Sequence, residues 1–252
     1  MPSLAEPGLI SLRRGLLALG LVIVCAGEAL APPPARAHKA LDLQDEFIKG
    51  IFTPAFVPPA AGTYELPVIG KVSPFVLWDS SGRQVSTQAV MGGKVAVVSF
   101  IYTACPDRLG CPLASVALRE LQSKLRQGGL QRDAVLVSIS FDAGRDTPAQ
   151  LAKYARVYDA DPAMWTFLTA PSERVLERVL ESYGQDRAPV HDDRGRFTGR
   201  YRHVLKVFLV DGDGRIRNIY STGFLVPAVV VNDIKTVLLE NGRRPASSGP
   251  TR

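Results

Sequence analysis

Two continuous apolar runs indicate the centre of a buried β-sheet. They read KVAVVSFIY at residues 94–102 and AVLVSISF at residues 134–141. Runs of this kind, rich in valine and isoleucine, are typical of strands that are covered on both faces. A shorter run at residues 164–170, MWTFLTA, predicts a third strand of the same sheet.

Amphipathic segments between these strands predict helices. The segment PLASVALRELQSKLRQGG has apolar residues at helical spacing and ends in a glycine pair, which is a helix stop signal. Asp146 or Thr147 is the expected N-cap of a second helix that carries Pro148 in its first turn. A third helix is predicted from Ser172, and a last one in PAVVVNDIKTVLLENG.

Two hairpins complete the predicted fold. SPFVLWDSSGRQVS alternates apolar and polar residues around a turn, and VLKVFLVDGDGRIRNIYSTG turns at Asp213-Gly214. Strands that alternate with helices predict an α/β fold with a central sheet, flanking helices and an N-terminal hairpin. In such sheets the chemistry gathers at the carboxyl ends of the strands.

The N-terminal segment has the pattern of an export signal. An arginine pair precedes the apolar stretch GLLALGLVIVCA, which is shorter than the roughly 20 residues of a membrane span but suits a signal peptide. A small-residue pattern predicts cleavage after Ala37, so residues 1–37 are a signal peptide, with an uncleaved membrane anchor as the alternative. Cys25 belongs to this segment. The protein is therefore expected in the periplasm or at the outer face of the inner membrane.

The remaining chain divides into three parts. Residues 38–61 are rich in proline and alanine and predict a linker, residues 62–240 hold the folded domain, and residues 241–252 predict a disordered tail. The net charge of +6 comes from dispersed basic residues without interleaved aromatics, which argues against nucleic-acid binding. A mildly basic surface suits an acidic partner protein or anionic lipid, and membrane contact is expected only through an uncleaved N-terminus.

Two cysteines remain after removal of the signal, in the segment SFIYTACPDRLGCPLA. Cys105 and Cys111 have three interpretations in an exported protein: a structural disulfide, a redox pair, or two metal ligands. Pro112 favours a helix start that places Cys111 at about the N-cap, where the positive helix end lowers a thiol pKa. A disulfide across so short a loop would contribute only about 2 kcal/mol, so redox or metal chemistry is favoured.

Histidines decide which metal site the cysteines can form. Two thiolates and one imidazole suit Cu(I), and also Zn(II) if a fourth ligand is present. The chain has three histidines. His38 lies at the predicted new N-terminus and His191 lies in a predicted exposed loop. His203 directly precedes a predicted strand beside the cysteine-bearing strand, so it is the best placed of the three.

Four segments together resemble the SCO/SenC family of thioredoxin-like copper proteins. They are GKVAVVSFIYTACPDRLGCPLA, VLVSISFDAGRDTPAQLAKYA, HVLKVFLVDGDGRIRNIY and GTYELPVIGKVSPFVLWDSSGR. The resemblance extends from about Gly62 to Glu240, and the combination is specific although each segment alone is weak.

The resemblance implies a thioredoxin-like fold that faces the periplasm or the mitochondrial intermembrane space. It implies copper as the bound metal, with Cys105, Cys111 and His203 as ligands. It also implies a role in assembling the copper centre of cytochrome c oxidase, as metal donor, thiol reductant or both. The expected partner is the copper-bearing oxidase subunit or another copper chaperone. Asp142 and Asp146 match acidic positions near the metal loop of the family, and capping or turn roles explain them equally well.

One departure from the family pattern leaves a second function open. The usual family loop is C-x3-C, whereas this chain has C-x5-C, CPDRLGC. The alternative to a metallochaperone is an enzyme, a thiol-disulfide oxidoreductase or peroxidase on the same fold, with Cys105 and Cys111 as the redox pair. Redox motifs of the thioredoxin type use C-x-x-C, and a peroxidase needs an arginine near its thiolate, for which Arg108 is the candidate.

Overall fold

The computed structural model describes Pro54 and residues 56–242. In this part of the chain no helix combines the length and the apolar character that a membrane span requires. Several predicted features lie outside the described residues, namely the signal peptide at residues 1–37 with Cys25 and its cleavage after Ala37, His38, most of the linker, and residues 243–252 of the tail.

Strands and helices alternate through most of the described chain. The strands are β1 (Gly70–Lys71), β2 (Val76–Asp79), β3 (Gln84–Ser86), β4 (Val95–Ile101), β5 (Ala134–Ser140), β6 (Trp165–Thr169), β7 (Ala188–His191), β8 (Phe197–Arg202), β9 (Val207–Val210) and β10 (Arg215–Tyr220). The helices are α1 (Thr87–Met91), α2 (Cys111–Gln127), α3 (Pro148–Val157), α4 (Glu173–Tyr183) and α5 (Pro227–Glu240). The predicted central sheet, flanking helices and N-terminal hairpin are confirmed.

The central sheet has the strand order β1-β10-β9-β4-β5-β6-β2-β3. The two apolar runs form β4 and β5, which pair in parallel and are buried along their whole length. β6 continues the parallel part, and β9 pairs antiparallel with the other edge of β4. The segment that follows β4 and the segment that precedes β9 therefore meet at one end of the sheet.

Local signals fix the helix ends. Thr147, rather than Asp146, is the N-cap of α3, since its side chain accepts a hydrogen bond from the Gln150 N–H. Ser172 caps α4 in the same way, so the helix that was predicted from Ser172 begins one residue later, at Glu173. Gly128 follows the last residue of α2, so the glycine pair ends this helix as predicted.

Residues 188–202 differ from the sequence-based prediction. The exposed loop expected around His191 is instead an antiparallel hairpin of β7 and β8, which forms a separate two-stranded sheet. Most residues of the hairpin are exposed, and it packs on the core through a tertiary contact that periodicity does not indicate. The Tyr201 ring packs edge-on against Tyr102 and Phe141, at centroid distances of 5.5 and 5.7 Å.

Candidate metal centre

The loop after β4 carries Cys105. Its start is fixed by the carboxylate of Asp146, which accepts hydrogen bonds from the N–H and the hydroxyl of Thr103. The Cys105 N–H then donates to the carbonyl of Tyr102 at 3.2 Å, which closes a turn. Cys105 is partly exposed, so its sulfur lies at the surface end of the site.

Cys111 lies at the start of α2 and is fully buried. The helix begins at Cys111 itself and its N-cap is Gly110, so the predicted N-cap position is one residue too late. The spacer between the cysteines forms its own turn. The Gly110 N–H donates to the Asp107 carbonyl at 3.1 Å, and the Leu109 N–H donates to the Asp107 carboxylate at 2.9 Å.

His203 lies between β8 and β9, at the end of the sheet where the cysteine loop begins. Its ring packs against Phe141 at a centroid distance of 4.7 Å. The Nε2 atom of His203 is 4.0 Å from the Sγ atom of Cys111. The backbone beside it is fixed by Gln185, whose amide donates to the Val204 carbonyl at 3.1 Å.

The structure brings the three predicted ligand residues together. One ligand atom each of Cys105, Cys111 and His203 lie within 4.8 Å of one another, and both cysteines are free thiols. In the described part of the chain, no other group of three or more His, Cys, Asp or Glu residues is placed to bind a metal ion. His191 lies in β7, where its ring contacts Phe197. Two sulfurs and one imidazole are a donor set that suits a soft metal ion such as Cu(I).

The two thiols differ in acidity. The Cys111 thiol donates a hydrogen bond to the Cys105 sulfur and lowers the pKa of Cys105 to about 4, with a smaller contribution from His203. Burial raises the pKa of Cys111 well above its ordinary value. The expectation that the helix start makes Cys111 the thiolate is therefore wrong, because complete burial outweighs the helix dipole. Cys105 carries the charge.

Asp142 and Asp146 lie behind the site as buried carboxylates, outside the group of potential ligands. Asp146 fixes the cysteine loop through Thr103, and burial raises the pKa of this carboxyl despite three hydrogen bonds. Asp142 forms an ion pair with Arg145 and accepts a hydrogen bond from the Tyr201 hydroxyl at 3.3 Å. Both aspartates therefore position the segments that hold the ligand residues.

Sequence reasoning did not identify Tyr201 and Gln185 as residues that position His203. Tyr201 precedes His203 by two residues, and period-two alternation in an extended segment is the signal that places them on one face. Gln185 follows the end of α4 and no local pattern marks it. It is nearly fully buried, and its contact with Val204 depends entirely on tertiary structure.

A cleft of about 580 Å³ opens over Cys105 and His203. The other residues that line it come from the cysteine loop, from the β7–β8 hairpin with the segment after it, and from the loop after β10: Tyr102, Pro106, Asp107, Leu109, Gly110, Val190, Arg200, Tyr201, Arg202, Leu205 and Thr222. The buried thiol of Cys111 lies behind this surface, so a bound ion would be reached from the Cys105 side.

Comparison with known proteins agrees with this architecture. The SCO1/SenC family profile matches residues 68–239. The SCO1 protein homolog of Bacillus subtilis (strain 168) is 29% identical over 172 residues, which cover 68% of this chain and 84% of that protein.

Two solved structures show the same fold. Bradyrhizobium japonicum ScoI with copper bound is 27% identical, with a TM-score of 0.53 and coverage of 65% of this chain and 98% of that chain. BsSco, described as a member of the Sco family of cytochrome c oxidase assembly proteins with a disulfide switch, is 28% identical, with a TM-score of 0.56 and coverage of 69% and 96%. The predicted thioredoxin-like fold is confirmed.

Proposed function

The chain belongs to the SCO1/SenC family, and on that basis we propose that it binds copper through Cys105, Cys111 and His203 and delivers it to the copper centre of cytochrome c oxidase. The observation that carries the proposal is the convergence of these three side chains, which come from separate segments, within 4.8 Å. The copper-bound structure of Bradyrhizobium japonicum ScoI, which shares the fold, supports the choice of metal.

The unequal environments of the two thiols suit capture and release of copper as cargo. Cys105 is the accessible thiolate and Cys111 is the buried thiol, with His203 between the cleft and the core. Partner thiolates would replace the ligands of this chain one at a time, and Cys105 is the first that they can reach. The recipient is the copper-bearing oxidase subunit, and the donor is another copper chaperone.

Anaerobic titration of the reduced protein with Cu(I), against a chromophoric chelator, tests the site. We expect one copper per chain and a large loss of affinity in Cys105→Ser and His203→Ala. The matched control is His191→Ala, since His191 is an exposed histidine of β7 outside the site. Copper binding that is unchanged in His203→Ala, or equally weakened in His191→Ala, would refute the proposed ligand set.

The acidity of Cys105 also supports a second function, thiol-disulfide exchange. A thiolate beside a resolving thiol is the arrangement that such an oxidoreductase needs. Histidine is not required for that chemistry, so a reductase should retain its rate with a model disulfide in His203→Ala, whereas copper binding should fail. Among the described residues, the Arg108 side chain forms no hydrogen bond or ion pair with Cys105, so no observation favours the peroxidase variant of this alternative.

Export is part of the same proposal. The arginine pair, the short apolar stretch and the small-residue pattern before His38 support a signal peptide that is cleaved after Ala37. Cell fractionation and N-terminal sequencing of the expressed protein test this. A mature protein that begins at His38 in the periplasmic fraction supports cleavage, and an intact N-terminus in the membrane fraction supports the anchor.

A further inference from the structure

We propose that the rim of the cleft over Cys105 and His203 is a docking surface for an acidic protein partner that also presents apolar side chains. This inference rests on the proposed function, because it identifies the chemistry of the protein that exchanges copper with this site. Three features carry it: unpaired guanidinium groups, exposed apolar side chains, and the concave shape of the surface.

Arg200 and Arg202 line the cleft beside the site and are both exposed. They are two residues apart in β8, so their side chains leave the strand on the same face. Within the described residues, neither guanidinium has a carboxylate at salt-bridge distance or any hydrogen-bond partner. Three other arginines in this region are each paired with a carboxylate: Arg145 with Asp142, Arg187 with Glu173, and Arg196 with Asp192.

Acidic groups at the rim do not cancel this charge. Among the described residues that line the cleft, the only carboxylate is that of Asp107, and it is engaged by the Leu109 N–H within its own turn. Arg108, next to Asp107 in the cysteine loop, is exposed and adds a third positive charge to those of Arg200 and Arg202 in β8. The rim therefore presents a net positive surface that complements carboxylates on a partner.

Large apolar side chains stand exposed around the same opening. Leu109 lines the cleft and is 46% exposed, and Val204, directly after His203, is 58% exposed. Phe224 is 67% exposed and lies two residues after Thr222, which lines the cleft. Exposed aliphatic and aromatic side chains together with arginine are the composition that protein interfaces favour.

The shape of the surface selects a protein over a lipid bilayer. The Cys105 sulfur and the His203 ring lie on the lining of a cleft, where a projecting loop of a partner can reach them. A membrane surface would contact only the rim. An acidic loop that carries metal-binding side chains fits both the charge and the recess.

Copper transfer kinetics test the docking surface. The probe is the copper-free soluble domain of the cytochrome c oxidase copper-bearing subunit from the same organism, mixed with this protein loaded with Cu(I) at several salt concentrations. The double variant Arg200→Glu/Arg202→Glu should transfer about tenfold more slowly at low salt and lose most of its salt dependence. Arg200→Lys/Arg202→Lys should retain the native rate.

The matched control is Arg132→Glu/Arg156→Glu, which makes the same charge change at exposed arginines before β5 and near the end of α3, away from the cleft. Cu(I) affinity, measured separately, should be equal in all variants, so a failed metal site is distinguished from a failed docking surface. Fully loaded Arg200→Glu/Arg202→Glu that transfers at the native rate would overturn the inference. Equal slowing of copper transfer in the control Arg132→Glu/Arg156→Glu would also overturn it.

Two further outcomes also overturn it. In one, the charge reversal abolishes binding to phosphatidylglycerol vesicles while copper transfer is unchanged, which would assign the arginines to a lipid surface. In the other, the native loaded protein transfers no copper to the oxidase domain. The proposed function then fails, and the docking surface fails with it.

Discussion

Asp146 holds Thr103 through two hydrogen bonds, accepting the backbone N–H at 3.0 Å and the hydroxyl at 2.6 Å. The same carboxylate accepts a third hydrogen bond from the Ser140 hydroxyl at 2.7 Å. Thr103 precedes Cys105 by two residues, whereas Asp146 follows β5. This contact therefore joins the loops at the ends of two neighbouring parallel strands and fixes where the cysteine loop begins.

Replacement of Asp146 by alanine should destabilise the protein and the metal site together. The partly buried Thr103 N–H would lose its acceptor, so the free energy of unfolding should fall by about 1–3 kcal/mol, measured by urea denaturation. Cu(I) affinity should fall as well, because the loop that carries Cys105 loses its anchor. Asp146→Asn is the matched control, since its amide oxygen still accepts from Thr103. Equal losses in both variants would contradict this role.

The same aspartate should make stability depend on pH. Burial raises the pKa of Asp146 in the folded protein, against hydrogen bonds from Ser140 and Thr103. Because the pKa is raised in the folded state, the protonated carboxyl stabilises the folded protein. This contribution to the free energy of unfolding is complete below the unfolded-state pKa of about 3.9 and is lost as the pH rises through the folded-state pKa. Asp146→Asn has no such proton, so its free energy of unfolding should fall less than that of the native protein over this window. Parallel curves of stability against pH would refute the assignment.

Alkylation should distinguish the two cysteines of the site. Cys105 is partly exposed and its pKa is lowered to about 4, whereas Cys111 is buried and its pKa is raised. Iodoacetamide should therefore modify Cys105 at mildly acidic pH and leave Cys111 unmodified in the folded protein, as measured by peptide mass spectrometry. In Cys111→Ala the Cys105 thiolate loses its main hydrogen-bond donor, so the midpoint of its reaction should rise toward the ordinary thiol value of about 8.5. An unchanged midpoint would show that another group sets its acidity.

Gln185 should affect copper binding from a distance. Its amide donates to the Val204 carbonyl, next to His203, at 3.1 Å. Gln185→Ala leaves the imidazole in place but frees the backbone, so amide hydrogen exchange at residues 203–206 should become faster and Cu(I) affinity should fall by about tenfold or less. Gln127→Ala, at the exposed end of α2, is the control. Slower exchange, or a loss as large as in His203→Ala, would contradict a positioning role.

The sequence predicted the parts of the fold that depend on short-range patterns. The apolar runs of β4 and β5, the helix start near Ser172 and the glycine stop after α2 are all local signals, and the structure has them within one residue of the prediction. The β7–β8 hairpin was not predicted, because most of its residues are exposed and it packs on the core through the contacts of Tyr201 with Tyr102 and Phe141.

The candidate site likewise has features that the sequence predicted and features that depend on tertiary structure. The residue types and the family resemblance were enough to select Cys105, Cys111 and His203. The sequence could not assign the thiolate, because the helix start favours Cys111 locally while its complete burial, a tertiary property, reverses the order of the two pKa values. The link from Asp146 to Thr103 likewise depends on how the loops after β4 and β5 meet.

Oxidation should close a disulfide between Cys105 and Cys111 and switch copper binding off. Their sulfurs belong to a group of ligand atoms that lie within 4.8 Å of one another. The Cys105 thiolate can add to the N=N bond of an oxidant such as diamide, and the Cys111 sulfur, losing its proton, can then attack the Cys105 sulfur, which breaks the S–N bond and releases the reduced hydrazine. The short loop limits the gain in stability to about 2 kcal/mol, so the melting temperature should rise by no more than about 4–8 °C, while Cu(I) binding is lost and then restored by mild reductant. Cys111→Ser, which cannot close the bond, is the control. A disulfide that resists mild reductant and leaves no recoverable copper binding would instead identify the pair as a structural cross-link.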